Sequence, residues 1–269
     1  MPDARNAAFA FITIVVVPLL FFVLLELGLT VAGVGTSYDF FYRIDIDGQS
    51  HYQENSDFAD QFYPASLNIN PRENTFTVER PPELIRVFIL GGSAALGFPH
   101  KNHGLDRLLA AQLRAALPSR EVEVINTAMT SVNSHVVYAV AKSIPEDSAD
   151  FAVILMGNNE VVGPYGPGTL DENFLENITL IRGIQALKRT RTWQALNSLI
   201  LQIRPTDAMQ ELEWEGMQMF TNRGVTYDDP RITGVYSHYE DNLTRIIETL
   251  RDKGMHVILS SVPVNLRHS

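Results

Sequence analysis

A serine that directly follows two glycines is the first residue in this chain whose surroundings suggest chemistry. Ser93 lies in residues 86–97, which read Arg-Val-Phe-Ile-Leu-Gly-Gly-Ser-Ala-Ala-Leu-Gly. The apolar first half is typical of a buried strand, and the glycines predict a tight turn at its carboxyl end. Open α/β sheets bind their ligands at that end of their strands. Three kinds of site fit this position: a dinucleotide-binding loop, a phosphate-binding loop and a nucleophilic serine.

Particular residues exclude two of these three. A dinucleotide-binding loop needs Gly-x-Gly-x-x-Gly, but Ser93 stands where a glycine must let the pyrophosphate approach. A phosphate-binding P-loop needs Lys and then Ser or Thr after its last glycine, whereas Phe98 and Pro99 follow Gly97. The nucleophilic serine survives, although Ala95 breaks the Gly-x-Ser-x-Gly pattern of a nucleophile elbow. A purely structural serine in a turn is the alternative.

Amide and hydroxyl residues also follow the next two predicted strands. Residues 126–131 read Asn-Thr-Ala-Met-Thr-Ser, and residues 157–160 read Gly-Asn-Asn-Glu. Because parallel strands end at the same edge of a sheet, we expect both segments to lie near Ser93. The alternative is that Asn126 and Asn159 only satisfy backbone groups of their own loops.

With these segments in this order, the chain resembles the SGNH, or GDSL-like, hydrolase superfamily. That superfamily is recognised by a Gly-Asp-Ser-type block, an Asn-x-Gly-x-x-Gly block, a Gly-x-Asn-Asp block and a late Asp-x-x-His block. Gly92 replaces the aspartate of the first block, and Ala128 and Ser131 replace both glycines of the second. Glu160 replaces the aspartate of the third. The resemblance covers about residues 85–265.

The resemblance implies a role for each matching residue. Ser93 would attack an ester carbonyl. Its own backbone N–H, the backbone N–H of Ser131 and the side-chain amide of Asn159 would form the oxyanion hole. Loss of one such donor typically lowers the rate on the order of 10²–10³-fold. The residues expected to contact substrate beside them are Gly92, Gly157 and Asn158. For Asn158, the alternative is a role in the turn alone.

The general base that a serine nucleophile requires is not evident in the sequence. The chain has seven histidines, and none lies in an Asp-x-x-His block: His51, His100, His103, His135, His238, His256 and His268. In the superfamily that block follows the last strand, so we expect it beyond Ser269, with loss of the base as the alternative. His100 and His103 are the nearest substitutes, or else solvated loop residues. His135 is expected to be a surface or capping residue at a helix start.

Strand and helix patterns alternate from residue 86 onward. Predicted strands cover residues 86–90, 122–126, 151–156 and 255–264, and predicted helices cover residues 105–117, 134–144 and 236–253. Such alternation indicates βαβ units with right-handed crossovers into a parallel sheet. We therefore predict a three-layer α/β/α sandwich, the flavodoxin-like fold that the resemblance implies. A helical insertion is predicted at about residues 165–234.

The N-terminal stretch predicts a membrane anchor. Residues 6–38 contain one charged side chain, Glu26, and an apolar run this long can cross a bilayer core of roughly 30 Å. A signal peptide cleaved near residues 32–33 is the alternative, although the run exceeds the apolar region of about 7–15 residues typical of such peptides. Arg5 precedes the run and acidic residues follow it, which predicts a cytoplasmic N-terminus. Glu26 is expected to reach the headgroups, with a functional intramembrane carboxylate as the alternative.

Composition limits the remaining possibilities. We divide the chain into an anchor (residues 1–35), a connector with short strands (residues 36–84) and the hydrolase-like domain (residues 85–269). The 21 basic and 31 acidic residues leave a net charge of -10, which argues against nucleic acid as a partner. The chain has no cysteine, so disulfides and thiolate sites are excluded. No metal-ligand spacing occurs, and no cofactor is expected.

The sequence therefore predicts a membrane-anchored serine esterase or O-deacetylase on the extracytoplasmic side. Its expected substrates are acyl esters, either small molecules or esters of envelope polysaccharide or lipid. The alternatives are a non-catalytic binding module that keeps the pocket and an acyltransferase of the cell envelope.

Overall fold

The computed structural model describes residues 4–169, 175–203, 225–226 and 228–262. The chain divides into two compact units. The first unit comprises Met1–Ser37 and Arg182–Glu211, and the second comprises Tyr38–Ile181 and Leu212–Ser269. All the predicted site residues belong to the second unit.

The chain begins with a long apolar helix in the first unit. Helix α1 (Ala4–Phe11) continues through a π-helical segment, Ile12–Val16, into α2 (Val17–Val31). The stretch Phe9–Val31 comprises 23 residues with a mean hydropathy of 2.7, and none of its most apolar part is buried. The predicted N-terminal apolar helix is thus confirmed, with a length and composition sufficient to cross a membrane.

A small antiparallel sheet opens the second unit. Its strands are β1 (Phe41–Ile46), β2 (Gln49–Glu54) and β3 (Thr75–Thr77), in the order β1-β2-β3. Phe41 and Phe76 pack edge to face with ring centroids 5.3 Å apart. Phe76 also lies 5.5 Å from the ring of Phe88, so the aromatic residues of this sheet contact the strand that leads to Ser93.

The second unit is built around a four-stranded parallel sheet. Its strands are β4 (Leu84–Gly91), β5 (Glu121–Asn126), β6 (Phe151–Leu155) and β7 (His256–Leu259), in the order β5-β4-β6-β7. Every neighbouring pair is parallel. The predicted α/β fold with a parallel sheet is confirmed. The last strand ends at Leu259 rather than Val264, and residues 263–269 lie outside the described residues.

The helices that follow β4 are α3 (Ser93–Leu96), α4 (Leu105–Ala116), α5 (Ser134–Ser143), α6 (Ile178–Lys188), α7 (Arg191–Ile203) and α8 (Arg231–Asp252). Helices α4 and α5 start and end within one residue of the predicted positions, and α8 ends within one residue of its predicted end but begins five residues early. The short helix α3 was not predicted. Within the predicted insertion at residues 165–234, residues 170–174, 204–224 and 227 lie outside the described residues.

Alternate residues of β4 face two separate cores, as the period of two in a strand requires. Val87 and Ile89 pack with apolar residues of α4 on one face of the sheet. Phe88 and Leu90 pack on the other face, with residues of α5 and α8. Both β4 faces are therefore covered, which explains why residues 87–90 read as a continuous apolar run.

The strand order creates a switch point between β4 and β6. The crossover from β4 leads to β5 on one side, whereas β6 and β7 lie on the other side of β4. Parallel sheets bind ligands in the crevice outside the carboxyl ends of the strands that flank such a point. Gly91 pairs with Leu155 there, so the two loops that follow leave the sheet side by side.

The opposite end of β4 is held by a fully buried arginine. Arg86 donates from Nε to Glu123 at 2.5 Å, from Nη1 to the carbonyl of Ser148 at 3.0 Å and from Nη2 to Thr77 at 3.2 Å. Its guanidinium also lies 4.8 Å from the ring centre of Phe76. This one side chain joins the small sheet to the central strand of the large sheet.

Candidate functional site

Ser93 is the first residue of α3, two residues after the carboxyl end of β4. The backbone of Gly92 before it is extended, and the Gly97 N–H donates to the Ser93 carbonyl at 3.0 Å. The first N–H groups of a helix have no acceptor within the helix. The N–H of Ser93 is therefore positioned to meet an acceptor from outside.

Glycine is required where this turn ends. Gly97 has a φ of 90°, a conformation that L side chains rarely adopt. A β-carbon at Gly97 would also lie 2.3 Å from the backbone nitrogen of Gly104. The turn that carries Ser93 is consequently fixed by the close approach of two backbone segments.

Gly92 brings the three predicted loops together. A β-carbon at Gly92 would lie 3.0 Å from Nδ2 of Asn159 and 3.4 Å from the carbonyl oxygen of Val132. The structure thus brings the loops that follow β4, β5 and β6 close together around Gly92. Glycine fits this space, because a longer side chain would have to displace the Asn159 amide.

Asn159 is buried, and its side-chain amide bridges two of these loops. Nδ2 donates to the carbonyl of Val132 at 3.0 Å. An amide nitrogen carries two N–H groups, so this bond leaves one for a further acceptor. The Asn159 carbonyl accepts from the N–H of Gly163 at 2.7 Å, which holds the loop itself.

Ser131 has the backbone conformation that glycine would favour. Its φ is 59°, in the left-handed region, and its carbonyl accepts from the hydroxyl of Tyr63 at 2.7 Å. Burial raises the pKa of the Tyr63 hydroxyl far above its ordinary value, so the group remains a donor. A left-handed non-glycine residue costs about 1–2 kcal/mol, and the bond from Tyr63 helps to hold the loop in this shape.

Asn126 has a structural role in this arrangement. Its Nδ2 donates to the carbonyl of Ala95 at 2.9 Å and to Asp106 at 2.8 Å, and its Oδ1 accepts from the N–H of Ala128 at 3.0 Å. Asn126 therefore fastens the loop after β5 to the turn that carries Ser93. Sequence reasoning missed the partner Asp106, whose position in the first turn of a helix gave no distinctive signal.

Sequence reasoning also missed Arg72. Its Nη1 lies 3.0 Å from Asp106, and its Nη2 donates to the carbonyl of Leu96. The pair is largely shielded from solvent, which strengthens the attraction between the charges. Arg72 thus holds the far end of α3 from outside the parallel sheet, and no sequence pattern around it indicated this contact.

Gly157 and Asn158 are exposed and line a cavity of about 410 Å³ near the carboxyl end of β6. Helix α8 supplies much of its opposite wall. The other lining residues are Met156, Glu160, Val161, Ile232, Val235, Tyr236, Tyr239 and Val262. The cavity combines apolar side chains with a few polar groups, as small-molecule sites commonly do. The contribution of α8 was not predicted from the sequence.

Glu160 fastens the loop after β6 to the N-terminus of α5. Its carboxylate accepts from the backbone N–H of Ser134 at 2.9 Å and from the Ser134 hydroxyl at 2.7 Å. A helix N-terminus favours a negative charge. Burial nevertheless dominates and raises the pKa of Glu160 to about 7.

His135 is buried, contrary to the expectation of a surface or capping residue. Its ring centroid lies 5.4 Å from that of Tyr165 and 5.3 Å from that of His238. Nδ1 of His135 is also 3.1 Å from Nδ2 of Asn242. The first turn of α5 packs against α8, and this tertiary contact encloses the ring.

The other candidate bases lie at the surface. His100 and His103 are exposed on the loop after Gly97, with ring centroids 6.0 Å apart. In the part of the chain that the structure describes, no histidine nitrogen forms a hydrogen bond with the Ser93 hydroxyl. His268 lies outside that part. Those residues also contain no group of three or more His, Asp or Glu side chains that could hold a metal ion.

Comparisons with known proteins found similarity only among solved structures. No protein-family model and no curated protein matches the chain. Among solved structures it is similar to TesA, with 14% identity and a TM-score of 0.36 over 68% of this chain and 63% of that chain. It is also similar to AlinE4, an SGNH-hydrolase family esterase, with 17% identity and a TM-score of 0.27 over 66% of this chain and 77% of that chain.

A third similar structure is the lipase/acylhydrolase from Enterococcus faecalis, with 18% identity and a TM-score of 0.29 over 65% of this chain and 75% of that chain. The superfamily that the sequence motifs resemble is thus represented among the structures found. The chain spans less than two thirds of the length of TesA.

Proposed function

We propose that this chain is a membrane-anchored ester hydrolase of SGNH type, with Ser93 as its nucleophile. The observation that most supports this proposal is that three loops converge at Gly92. Ser93 follows the carboxyl end of β4 at the switch point, and the Asn159 amide approaches the same turn from the neighbouring loop. The three loops meet where an open parallel sheet binds its ligand.

In the proposed reaction, the Ser93 hydroxyl attacks the carbonyl carbon of an acyl ester. The carbonyl oxygen becomes an oxyanion that accepts from the N–H groups of Ser93 and Ser131 and from the amide of Asn159. The C–O bond to the alcohol then breaks, and the alcohol leaves with a proton. Water attacks the acyl-serine and releases the acid, which regenerates the serine.

Two features of the site support these donor roles. The N–H of Ser93 lies in the first turn of α3, and the amide of Asn159 has one N–H beyond its bond to Val132. The proton of the Ser93 hydroxyl must pass to a general base. We assign that base to a segment outside the described residues, because the described histidines form no bond with Ser93.

The proposed substrate is an acyl ester whose acyl group occupies the 410 Å³ cavity beside Gly157. Val161, Ile232 and Val235 provide apolar contacts there, whereas Asn158 and Glu160 provide polar ones. With the helix Phe9–Val31 as a membrane anchor and the N-terminus in the cytoplasm, the site would face outside the cytoplasm. Esters of envelope polysaccharides or lipids would then be within reach.

Labelling with a fluorophosphonate probe tests this proposal, because the probe reacts with activated serines. We expect the full chain in detergent micelles to hydrolyse short acyl nitrophenyl esters and to carry the label on Ser93. The S93A variant should lose both properties, whereas the matched variant Ser198→Ala should keep them. An unlabelled chain with no esterase activity would overturn the hydrolase proposal.

The second candidate is a non-catalytic binding module, which the absence of a described base contact at Ser93 favours. Such a module would bind an acyl ester without turnover. Equilibrium dialysis with a radiolabelled short acyl ester separates the two candidates. Saturable binding without product in both the unmodified chain and S93A would support the module, whereas product formation would exclude it.

A further inference from the structure

Glu26 in the apolar N-terminal helix is bonded to the start of α7. Its Oε1 accepts from the backbone N–H of Arg191 at 2.7 Å, and its Oε2 accepts from the backbone N–H of Thr192 at 2.9 Å and from the Thr192 hydroxyl at 2.8 Å. The carboxylate therefore caps α7, where a helix favours negative charge. This contact accounts for the single charged residue of an otherwise apolar segment.

A second contact fixes the same helix to the end of the apolar segment. The Thr36 N–H donates to Oε1 of Gln194 at 2.8 Å, and Nε2 of Gln194 donates to the Thr36 carbonyl at 3.2 Å. The first turn of α7 is thereby held at two points, one on α2 and one just after it. The two helices belong to the same compact unit, so α7 is positioned by the N-terminal helix itself.

One face of α7 is apolar and exposed. Leu196, Leu199, Ile200 and Ile203 recur at helical spacing and are 49%, 54%, 41% and 74% exposed. The other face carries Asn197, Ser198 and Gln202 together with Leu201, which is 43% exposed, and residues 192–203 contain no charged side chain. An amphipathic helix with this pattern normally buries its apolar face against another apolar surface. The neighbouring helix α2 is itself apolar around its surface.

The residues around the start of α7 complete the pattern of a helix at a membrane surface. Lys188, Arg189 and Arg191 lie close together in the sequence, and Trp193 lies two residues after the last of them. Basic residues attract anionic headgroups, and tryptophan is enriched at the boundary between headgroups and acyl chains. The 13 residues of α7 extend about 20 Å, which is too short to cross the bilayer core.

We propose that α7 lies in the membrane, in the leaflet from which the C-terminal end of the anchor emerges, with its apolar face against lipid acyl chains. The occupant of this face is lipid because the face continues the apolar surface of the anchor to which Glu26 and Gln194 fix the helix. The proposal rests on the proposed anchoring of Phe9–Val31 and adds a second membrane element to it.

A groove between α2 and α7 also fits lipid. A cavity of about 590 Å³ lies between them, with walls that are almost entirely apolar. Its walls include Phe22, Val23, Leu27, Leu187, Trp193 and Leu196. An acyl chain that entered this groove would cover the apolar side chains on both sides and leave the carboxylate of Glu26 bonded to α7.

Site-directed spin labelling tests the proposal, and the natural absence of cysteine makes each label unique. The full chain is reconstituted in vesicles of phosphatidylcholine and phosphatidylglycerol, and a nitroxide is attached at Leu199→Cys or at Ser198→Cys. Collision rates are measured with oxygen, which concentrates in acyl chains, and with a nickel chelate, which stays in water. We expect a high oxygen-to-nickel ratio at position 199 and a low ratio at position 198.

Two reference labels make each outcome decisive. Leu20→Cys reports the anchor, and Glu121→Cys reports a solvent-exposed strand end. A ratio at position 199 close to that at position 20 supports the proposal. A water-like ratio at position 199, or shielding from both reagents by protein, overturns it. A water-like ratio at position 20 as well would show that the anchoring itself has failed.

Discussion

The amide nitrogen of Asn159 lies 3.0 Å from the point that a β-carbon on Gly92 would occupy. One glycine and one side chain thus bring together the loops that follow the neighbouring strands β4 and β6. A donor that is positioned this way loses its place when the glycine gains a side chain. The relationship therefore predicts functional consequences for both residues.

Gly92→Ala should lower the turnover number by on the order of 10²-fold if it displaces one oxyanion donor. The added methyl group must push the Asn159 amide away, since few real β-carbons tolerate a contact of 3.0 Å. The turnover number for a short acyl nitrophenyl ester measures the effect. Gly183→Ala is the control, because a β-carbon there meets nothing within 4 Å. Equal activity of both variants would contradict the assignment of Asn159.

Asn159→Asp should reduce the turnover number on the order of 10²–10³-fold, because a carboxylate cannot donate to the oxyanion. The neighbouring Asn158→Asp, at an exposed position, should change it far less. Steady-state kinetics with fluorophosphonate labelling as a second readout separates loss of the donor from loss of the fold. Full activity in Asn159→Asp would exclude the amide from the oxyanion hole.

The stability of the protein should fall as the pH rises from about 4.5 to about 7. Glu54 is buried and accepts from the backbone N–H of Asn74 at 3.0 Å and from its side chain at 2.8 Å. Burial raises the pKa of Glu54 from 4.5 to about 7. The folded state therefore holds this proton more tightly than the unfolded state, and unfolding becomes easier as the proton is lost. Glu160 adds an effect of the same sign.

Glu54→Gln should make this decline smaller, by up to about 3 kcal/mol between pH 5 and pH 8. Urea denaturation of the full chain in detergent, followed at several pH values, measures the slope. Glu121→Gln, at an exposed position, is the control and should leave the slope unchanged. An identical slope in all three proteins would show that Glu54 does not titrate in this range.

Arg86→Met should destabilise the fold by about 1–3 kcal/mol, because the buried contact to the Ser148 carbonyl is lost and that acceptor is left without its donor. The variant loses the donors to Glu123, Ser148 and Thr77 at the foot of β4. Denaturation midpoints measure the change. Arg245→Met breaks an exposed ion pair and should cost less than about 1 kcal/mol. Comparable losses in the two variants would contradict the role given to Arg86.

If the proposed ester hydrolysis uses the cavity beside Gly157, Val161→Trp should shift the preference toward shorter acyl groups, because the larger side chain fills that cavity. The ratio of kcat/KM for butyrate and acetate esters measures the preference. Leu108→Trp, on the exposed side of α4, should leave the ratio unchanged. An unchanged ratio in Val161→Trp would place the acyl group elsewhere.

Sequence patterns predicted the sheet well because both faces of its central strand are buried. The run around Phe88 and the glycines after it leave few alternatives to a strand and a turn. The positions of Ser93 and Asn159 at neighbouring strand ends followed from the same reasoning. The sequence could also place the loop of Ser131, but not show that its backbone is left-handed, since a serine rarely adopts that conformation.

Contacts between distant segments could not be predicted in the same way. His135 is buried because α8 closes over the first turn of α5, and nothing in its neighbours along the chain indicates this packing. The bonds of Glu26 to Arg191 and Thr192 join residues 165 positions or more apart, and no pattern near Glu26 indicates them. Such partners depend on tertiary packing, which local periodicity does not encode.

The bond from the Tyr63 hydroxyl to Ser131 limits how short a fragment without the N-terminal helix can be. Tyr63, Arg72 and Asn74 all contact the loops of the site from residues that precede the parallel sheet, and Asn74 also donates to the carbonyl of Asn126 at 3.0 Å. A fragment that started at β4 would keep Ser93 but lose these supports. The minimal active unit should therefore begin near Tyr38, where the second compact unit begins.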